Sequence, residues 1–263
     1  MADTPRPSAR DLDFALVDEA AFDDIPEPDS PGARCQTCDY WERLDGGREP
    51  PDPPDGHAAR ALADLKRSRL LAGRELAGAY GMLAYRSGSV ERRAIGWCQF
   101  GPLSAYPRAQ VIRDRYPQLP DSPAPWVITC LQVTPVAGEP DDRRGVGAAL
   151  LEAVCAELDR RGIIAVEAYP ERAADAWRPS PGPADPYLDA GFERAAGDDR
   201  YPVLRRELSG SGADVGWGDL LARSRPPDDD DAWPLPLPSG PREEDFFRLP
   251  PERPKRPNPF GDD

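Results

Sequence analysis

Two glycines one residue apart, Gly145 and Gly147, follow two arginines in the run Arg143-Arg144-Gly145-Val146-Gly147, and an apolar pattern of helical period begins at Ala148. The first amides of a helix have no intrahelical acceptor, and the helix dipole adds a partial positive charge at that end. Glycine lets a ligand approach the backbone closely. Arg143 and Arg144 bring full positive charges, and no acid stands in the first predicted turn. These residue types in this order suit a phosphate or pyrophosphate. The plain alternative is a glycine-flanked helix start with solvated arginines. Strand patterns before and after the run favour the anion site.

Other spacings invite rival chemistry. Gly145-Val146-Gly147 with Glu167 about 20 residues on imitates a dinucleotide-binding fingerprint. There the glycines follow a strand directly, whereas here the run VAGEPDDRR separates them from Pro135. A Walker A loop is excluded because no GK[ST] exists. Cys35-Gln-Thr-Cys38 has metal-ligand or redox spacing. Structural zinc needs four ligands, and Cys98, Cys130 and Cys155 fall inside predicted strands or a helix, so no metal is expected. Buried thiols at the entry of a first helix are the simpler reading. His57, the single histidine, reads as a surface residue at a helix start.

The elements that must position these residues follow from periodicity. Leucines and alanines at helical spacing predict a helix over 57–76. GAYGMLAYR and VERRAIGWCQF, joined by SGS, predict a hairpin. The β-branched run 125–135, bounded by prolines, predicts a buried strand. Leu150, Leu151, Val154, Cys155 and Leu158 fall on one face of a helix over 148–161, and Gly162 ends it. IIAVEAY over 163–169 is a second buried strand. A short helix over 183–190 precedes GFERA, and 201–208 forms a last strand. The order predicts one mixed α/β domain.

Charge and composition set the limits of that domain. The chain has 263 residues, 34 prolines and a net charge of −14. Residues 1–32 hold nine acids against two bases, and 209–263 hold twelve against seven. The stretch between is nearly neutral, which disfavours nucleic acid as a partner. The acidic N-terminal segment is expected to contribute at most an edge strand at 13–17. The tail from 209, with PPDDDD and PLPLPSGP, has the composition of a disordered segment. No apolar run reaches membrane-spanning length. Five cysteines without an export signal suit reduced thiols in the cytoplasm.

The strand, the loop DRRGVGAALLEA, the next strand and then Tyr187-Leu-Asp-Ala-Gly191-Phe192 together resemble the GNAT superfamily of acetyl-coenzyme A-dependent N-acetyltransferases. Its loop pattern is Gln or Arg, two residues, Gly, any residue, Gly or Ala. Asp142 stands at the first position here, and a reading shifted to Arg144, Gly147 and Ala149 also satisfies the letters. The resemblance implies a mostly antiparallel central sheet with flanking helices over residues 33–208. It implies that acetyl-coenzyme A is the co-substrate. The pantetheine arm would pair with the backbone around Leu131, Gln132 and Val133 where two strands splay. The pyrophosphate would lie on Arg143, Arg144, Gly145, Val146, Gly147 and Ala148. A primary amine, on a small molecule or a peptide, would attack the thioester directly. Tyr187 would protonate the leaving thiolate, and Glu167 is the candidate base, with Tyr169 behind it. The Pro-rich stretch 171–186 suggests a lid over the acceptor. A non-catalytic acyl-coenzyme A sensor, binding a protein through its Pro-rich tail, is the alternative.

Overall fold

The apolar runs become seven strands: β1 (Leu12–Leu16), β2 (Gly81–Arg86), β3 (Ala94–Pro102), β4 (Trp126–Val133), β5 (Ala165–Ala168), β6 (Glu193–Gly197) and β7 (Pro202–Glu207). They form one sheet in the order β1-β2-β3-β4-β5-β7-β6. Four helices accompany it: α1 (Gly56–Leu71), α2 (Pro107–Arg113), α3 (Arg143–Arg160) and α4 (Asp185–Asp189). The structure is a computed structural model that describes residues 12–28, 34–44, 56–72, 78–88, 93–136, 141–170 and 181–210. All of these lie in the first of two units, Met1–Trp217, and the tail of the second, Gly218–Asp263, lies outside the described residues.

Every strand pairing is antiparallel except one, β4 with β5. The crossover between those two strands is α3, as parallel neighbours require. Alternation along the strands splits the sheet into two buried faces. On one, α3 lays Leu150, Leu151, Val154 and Leu158 against Cys98, Phe100, Ile128, Val166 and Ala168. Each fully buried leucine there contributes about 1.5–3 kcal/mol. Gly96 of β3 lets the helix come in, since a Cβ would stand 3.3 Å from Leu150 Cδ2 and 3.1 Å from Ala84 Cβ. Beyond the last turn, Gly162 takes φ +78° and Ile163 N–H returns to Leu158 C=O at 3.0 Å, closing α3.

The other face is covered by the N-terminal turns and α1 over Leu83, Tyr85, Trp97 and Cys130. Next to it, α2 and Trp41 cover Val127, Tyr169 and Val203. The edge strand expected at 13–17 forms over 12–16 and pairs with β2. Two details differ from the sequence expectations. The helix α2 lies in PRAQVIR, too short and polar to show a period. And α3 starts at Arg143, not Ala148, so both glycines are inside its first two turns.

Candidate functional site

The parallel pairing of β4 with β5 runs over three positions, Trp126 with Val166, Val127 with Glu167 and Ile128 with Ala168, and then stops. At that level β4 carries a bulge. Gln99 of β3 pairs with Cys130 and Phe100 with Ile128, so Thr129 is the extra residue. A bulge bends its strand, and above it β4 parts from β5 while staying paired with β3. Thr134 N–H donates to Ile95 C=O of β3 at 2.9 Å. Peptide groups alternate in direction along a strand, so Gln132 faces β3, while Leu131 and Val133 turn theirs to the side β5 has left. This is the edge that an extended ligand could join as an added strand. The Gln132 side chain is 2% exposed, and its Oε1 has no hydrogen-bond partner among the described residues.

Strand order, bulge and splay together decide the architecture. The chain has a GNAT-type fold. No family model and no curated protein matches the chain. Similar solved structures include the Salmonella typhimurium protein yncA with acetyl-coenzyme A, at 16% identity over 76% of this chain and 95% of that one, TM-score 0.41. An agmatine N-acetyltransferase mutant in its apo form is similar at 14% identity over 75% of this chain and 100% of that one, TM-score 0.41. An N-acetyltransferase from Staphylococcus aureus Mu50 is similar at 12% identity over 76% and 98%, TM-score 0.39. At such identities and TM-scores these likenesses say nothing of what this chain does.

Directly beyond β4 lies the start of α3. Val146 N–H already bonds to Asp142 C=O at 3.0 Å, so Gly147 and Ala148 are inside the helical ladder. The amides left for a ligand are those of Arg144 and Gly145, while Arg143 N–H leans on Asp141 Oδ1 at 3.3 Å. Val146 packs on Val133 and ties the helix start to the end of β4. The charges here are more mixed than the local sequence suggests. Arg143 is held by Asp141, with Nη2 to Oδ2 at 2.6 Å. Arg144 reaches α4, with Nη2 to Asp189 Oδ1 at 2.7 Å and Nη1 to Asp185 Oδ2 at 3.2 Å. The carboxylate of Asp142, at the N-cap, folds over Gly145, where a Cβ would meet its Oδ1 at 2.6 Å. The amides, the glycine and the two arginines fit a pyrophosphate. Carboxylates of the chain stand around the place it would take.

Tyr187 sits on α4, 0% exposed, in the same core as Leu131 and Ile128. Its hydroxyl donates to Pro181 C=O at 2.7 Å, and its ring meets Phe192 edge-on. Burial lifts its phenol well above the ordinary value, and the nearby thiols of Cys98, Cys130 and Cys155 add to this. The helix-start residues, Leu131, Val133 and Tyr187 are thus gathered around the end of β4. Glu167 is not with them. It points to the opposite face, 0% exposed, and accepts from Arg205 Nη1 at 2.7 Å, Arg113 Nε at 3.0 Å and Tyr169 Oη at 2.9 Å. A carboxylate so enclosed braces α2, β5 and β7.

The sequence pattern does not single out a second buried cluster. Glu42 Oε1 accepts from Lys66 Nζ at 2.9 Å and from Gln99 Nε2 at 2.9 Å, while Lys66 Nζ also meets Gln99 Oε1 at 2.6 Å. Burial works to raise the Glu42 carboxyl, but Lys66 and the bond from Gln99 outweigh it and hold it below its usual range. One signal was present. Ala59, Ala63, Lys66 and Leu70 share one face of α1, so a lysine occupies a stripe position in a chain whose only other lysine is Lys255. Cys35 is buried against Cys130, and that contact and its burial raise its thiol well above the ordinary value, with Cys38 adding to the effect. Among the described residues, no group of three or more His, Cys, Asp or Glu is placed to hold a metal ion. None of the described helices is long and apolar enough to cross a membrane. Residues 171–180 of the expected lid lie outside the described residues.

Proposed function

We propose that this chain is an N-acetyltransferase that moves an acetyl group from acetyl-coenzyme A to a primary amine by direct attack. One observation carries the reading. β4 leaves β5 at the Thr129 bulge with the peptide groups of Leu131 and Val133 turned to the vacated side, and its end packs on the glycine-bearing start of α3 through Val133 and Val146. That arrangement supports a ligand that is strand-like at one end and anionic at the other, as pantetheine joined to pyrophosphate is.

In this reading Leu131 and Val133 hold the pantetheine amides, and the buried Gln132 oxygen is an acceptor for the same arm. Arg144 and Gly145 present amides to the pyrophosphate. Arg143 and Arg144 exchange their carboxylate partners for phosphate, and Val146, Gly147 and Ala148 keep the helix start against β4. The co-substrate supplies the activated acetyl thioester. The amine enters as its ammonium, gives up one proton to water and attacks the carbonyl carbon. The N–C bond forms, the C–S bond breaks, the nitrogen loses a second proton, and coenzyme A leaves as the thiol. Tyr187 is the proton donor to that sulfur, released for the role when its bond to Pro181 is exchanged for one to the ligand. The arginines around Glu167 argue against its serving as the base, because Arg113 and Arg205 hold its carboxylate on the sheet face opposite the Tyr187 side.

Two measurements test the proposal. Acetyl-coenzyme A should bind by calorimetry, and thiol should be released when amines are added. Tight binding with no thiol release from any amine would favour the non-catalytic sensor.

A further inference from the structure

A cavity of ≈ 220 Å³ lies between the end of α1, the 3-10 turn Leu103–Ala105 and the middle of β3, and its wall includes Glu42, Arg69, Leu70, Tyr80, Gln99 and Tyr106. It opens on the sheet face opposite α3. Its inner wall reaches Gln99, which pairs with Cys130 beside the Thr129 bulge. Neighbouring strands are about 5 Å apart, so the cavity ends one strand from the level where β4 and β5 part. Two polar groups in its wall carry unspent capacity. Both hydrogen bonds to Glu42 fall on Oε1, and Oε2 accepts none from another described residue. Arg69 Nη1 is buried with no hydrogen-bond partner among the described residues.

We propose that this cavity is the acceptor site, and that the acceptor is a small primary amine that also carries a carboxylate, its nitrogen held by Glu42 and its carboxylate by Arg69. The inference rests on the acetyltransferase reading and adds the substrate class to it. Lys66 and Gln99 hold Glu42 in one orientation while leaving its second oxygen to a cation. The guanidinium of Arg69, which lines the wall, can meet a carboxylate in a charge-assisted bond. The side chains of Leu70 and Tyr80 make the rest of the wall apolar. The volume is below the roughly 300–1,000 Å³ of sites for drug-sized ligands, which suits a single amino acid rather than a peptide.

The test uses the full chain with acetyl-coenzyme A and follows thiol release. The amines are the standard L-amino acids, their carboxamides, simple aliphatic amines, phosphoethanolamine and a lysine-containing peptide. At least one amino acid should be acetylated, with kcat/KM about tenfold or more above its carboxamide. In Arg69→Gln, and independently in Arg69→Lys, that ratio should fall, to near one for glutamine and partway for lysine. Equal use of acid and carboxamide, a ratio unchanged in folded Arg69→Gln, or preference for the peptide, the simple amines or phosphoethanolamine would overturn the substrate assignment and leave the transferase reading standing. No thiol release from any amine would instead overturn the transferase reading beneath it.

Discussion

Replacing Tyr187 by phenylalanine keeps the ring and removes one hydroxyl, which separates two roles that the structure superimposes. The hydroxyl donates to Pro181 C=O at 2.7 Å inside a fully buried environment. Its removal leaves a buried carbonyl unpaired, at about 1–3 kcal/mol. In a domain of this size each kcal/mol moves Tm by about 2–4 °C, so a drop of about 2–12 °C is expected, read by calorimetry. If the hydroxyl is also the proton donor to the leaving sulfur, turnover at neutral pH should fall by about a hundredfold or more, with coenzyme A affinity nearly unchanged. A free thiol has a reference pKa of about 8.5, so above that pH the thiolate leaves unaided and the deficit should shrink. The assay is a pH–rate profile of both proteins with one amine, beside a melting curve of each. A lowered Tm with parental turnover at every pH would refute the donor role and leave Tyr187 as a brace for α4.

Other substitutions probe the site's neighbours. Asp142→Asn keeps a good N-cap residue and removes a negative charge from over Gly145. Coenzyme A should then bind more tightly by about 1 kcal/mol, roughly fivefold, and weaker binding by calorimetry would show that Asp142 supports the ligand. Glu167→Gln should cost about 3–5 kcal/mol of stability, because Arg113 and Arg205 lose a buried partner; a stable variant with lost turnover would return Glu167 to the role of base. The folded-state pKa of Glu42 is depressed, so its ion pair adds stability above the unfolded value of about 4.3, lost as pH falls through the lower folded value. Denaturant unfolding of Glu42→Gln between neutral and acid pH should lack that component, and an identical pH dependence would contradict it. Removing residues 214–263, acidic and Pro-rich, should leave Tm and coenzyme A affinity unchanged, and a loss of several degrees would show that they pack on the fold.

What the residues reveal unaided follows from how local each signal is. β4, α3 and β5 are legible because each carries its own apolar period, and Gly162 marks where α3 stops. The start of α3 is not, because two arginines and two glycines read as loop; packing of Val146 on Val133 outweighs the weak helix propensity of glycine there. Leu131 and Val133 are reached through the family pattern, and the bulge that turns their peptide groups outward shows only in the pairing. Opposed charges escape notice because they come from afar: Arg144 meets Asp185 and Asp189 more than forty positions away. The same holds for Glu42, Lys66 and Gln99, brought together by turns and a helix that no short motif announces.

The central claim is that acetyl-coenzyme A lies along β4 above the bulge with its pyrophosphate at the start of α3. Residue-resolved amide hydrogen exchange, with and without saturating coenzyme A, tests it most directly. The account predicts that exchange slows at Leu131, Val133, Arg144 and Gly145, while Gln132, whose amide faces β3, changes little. Binding that protects other amides and leaves these four untouched, or no binding at all, would contradict it.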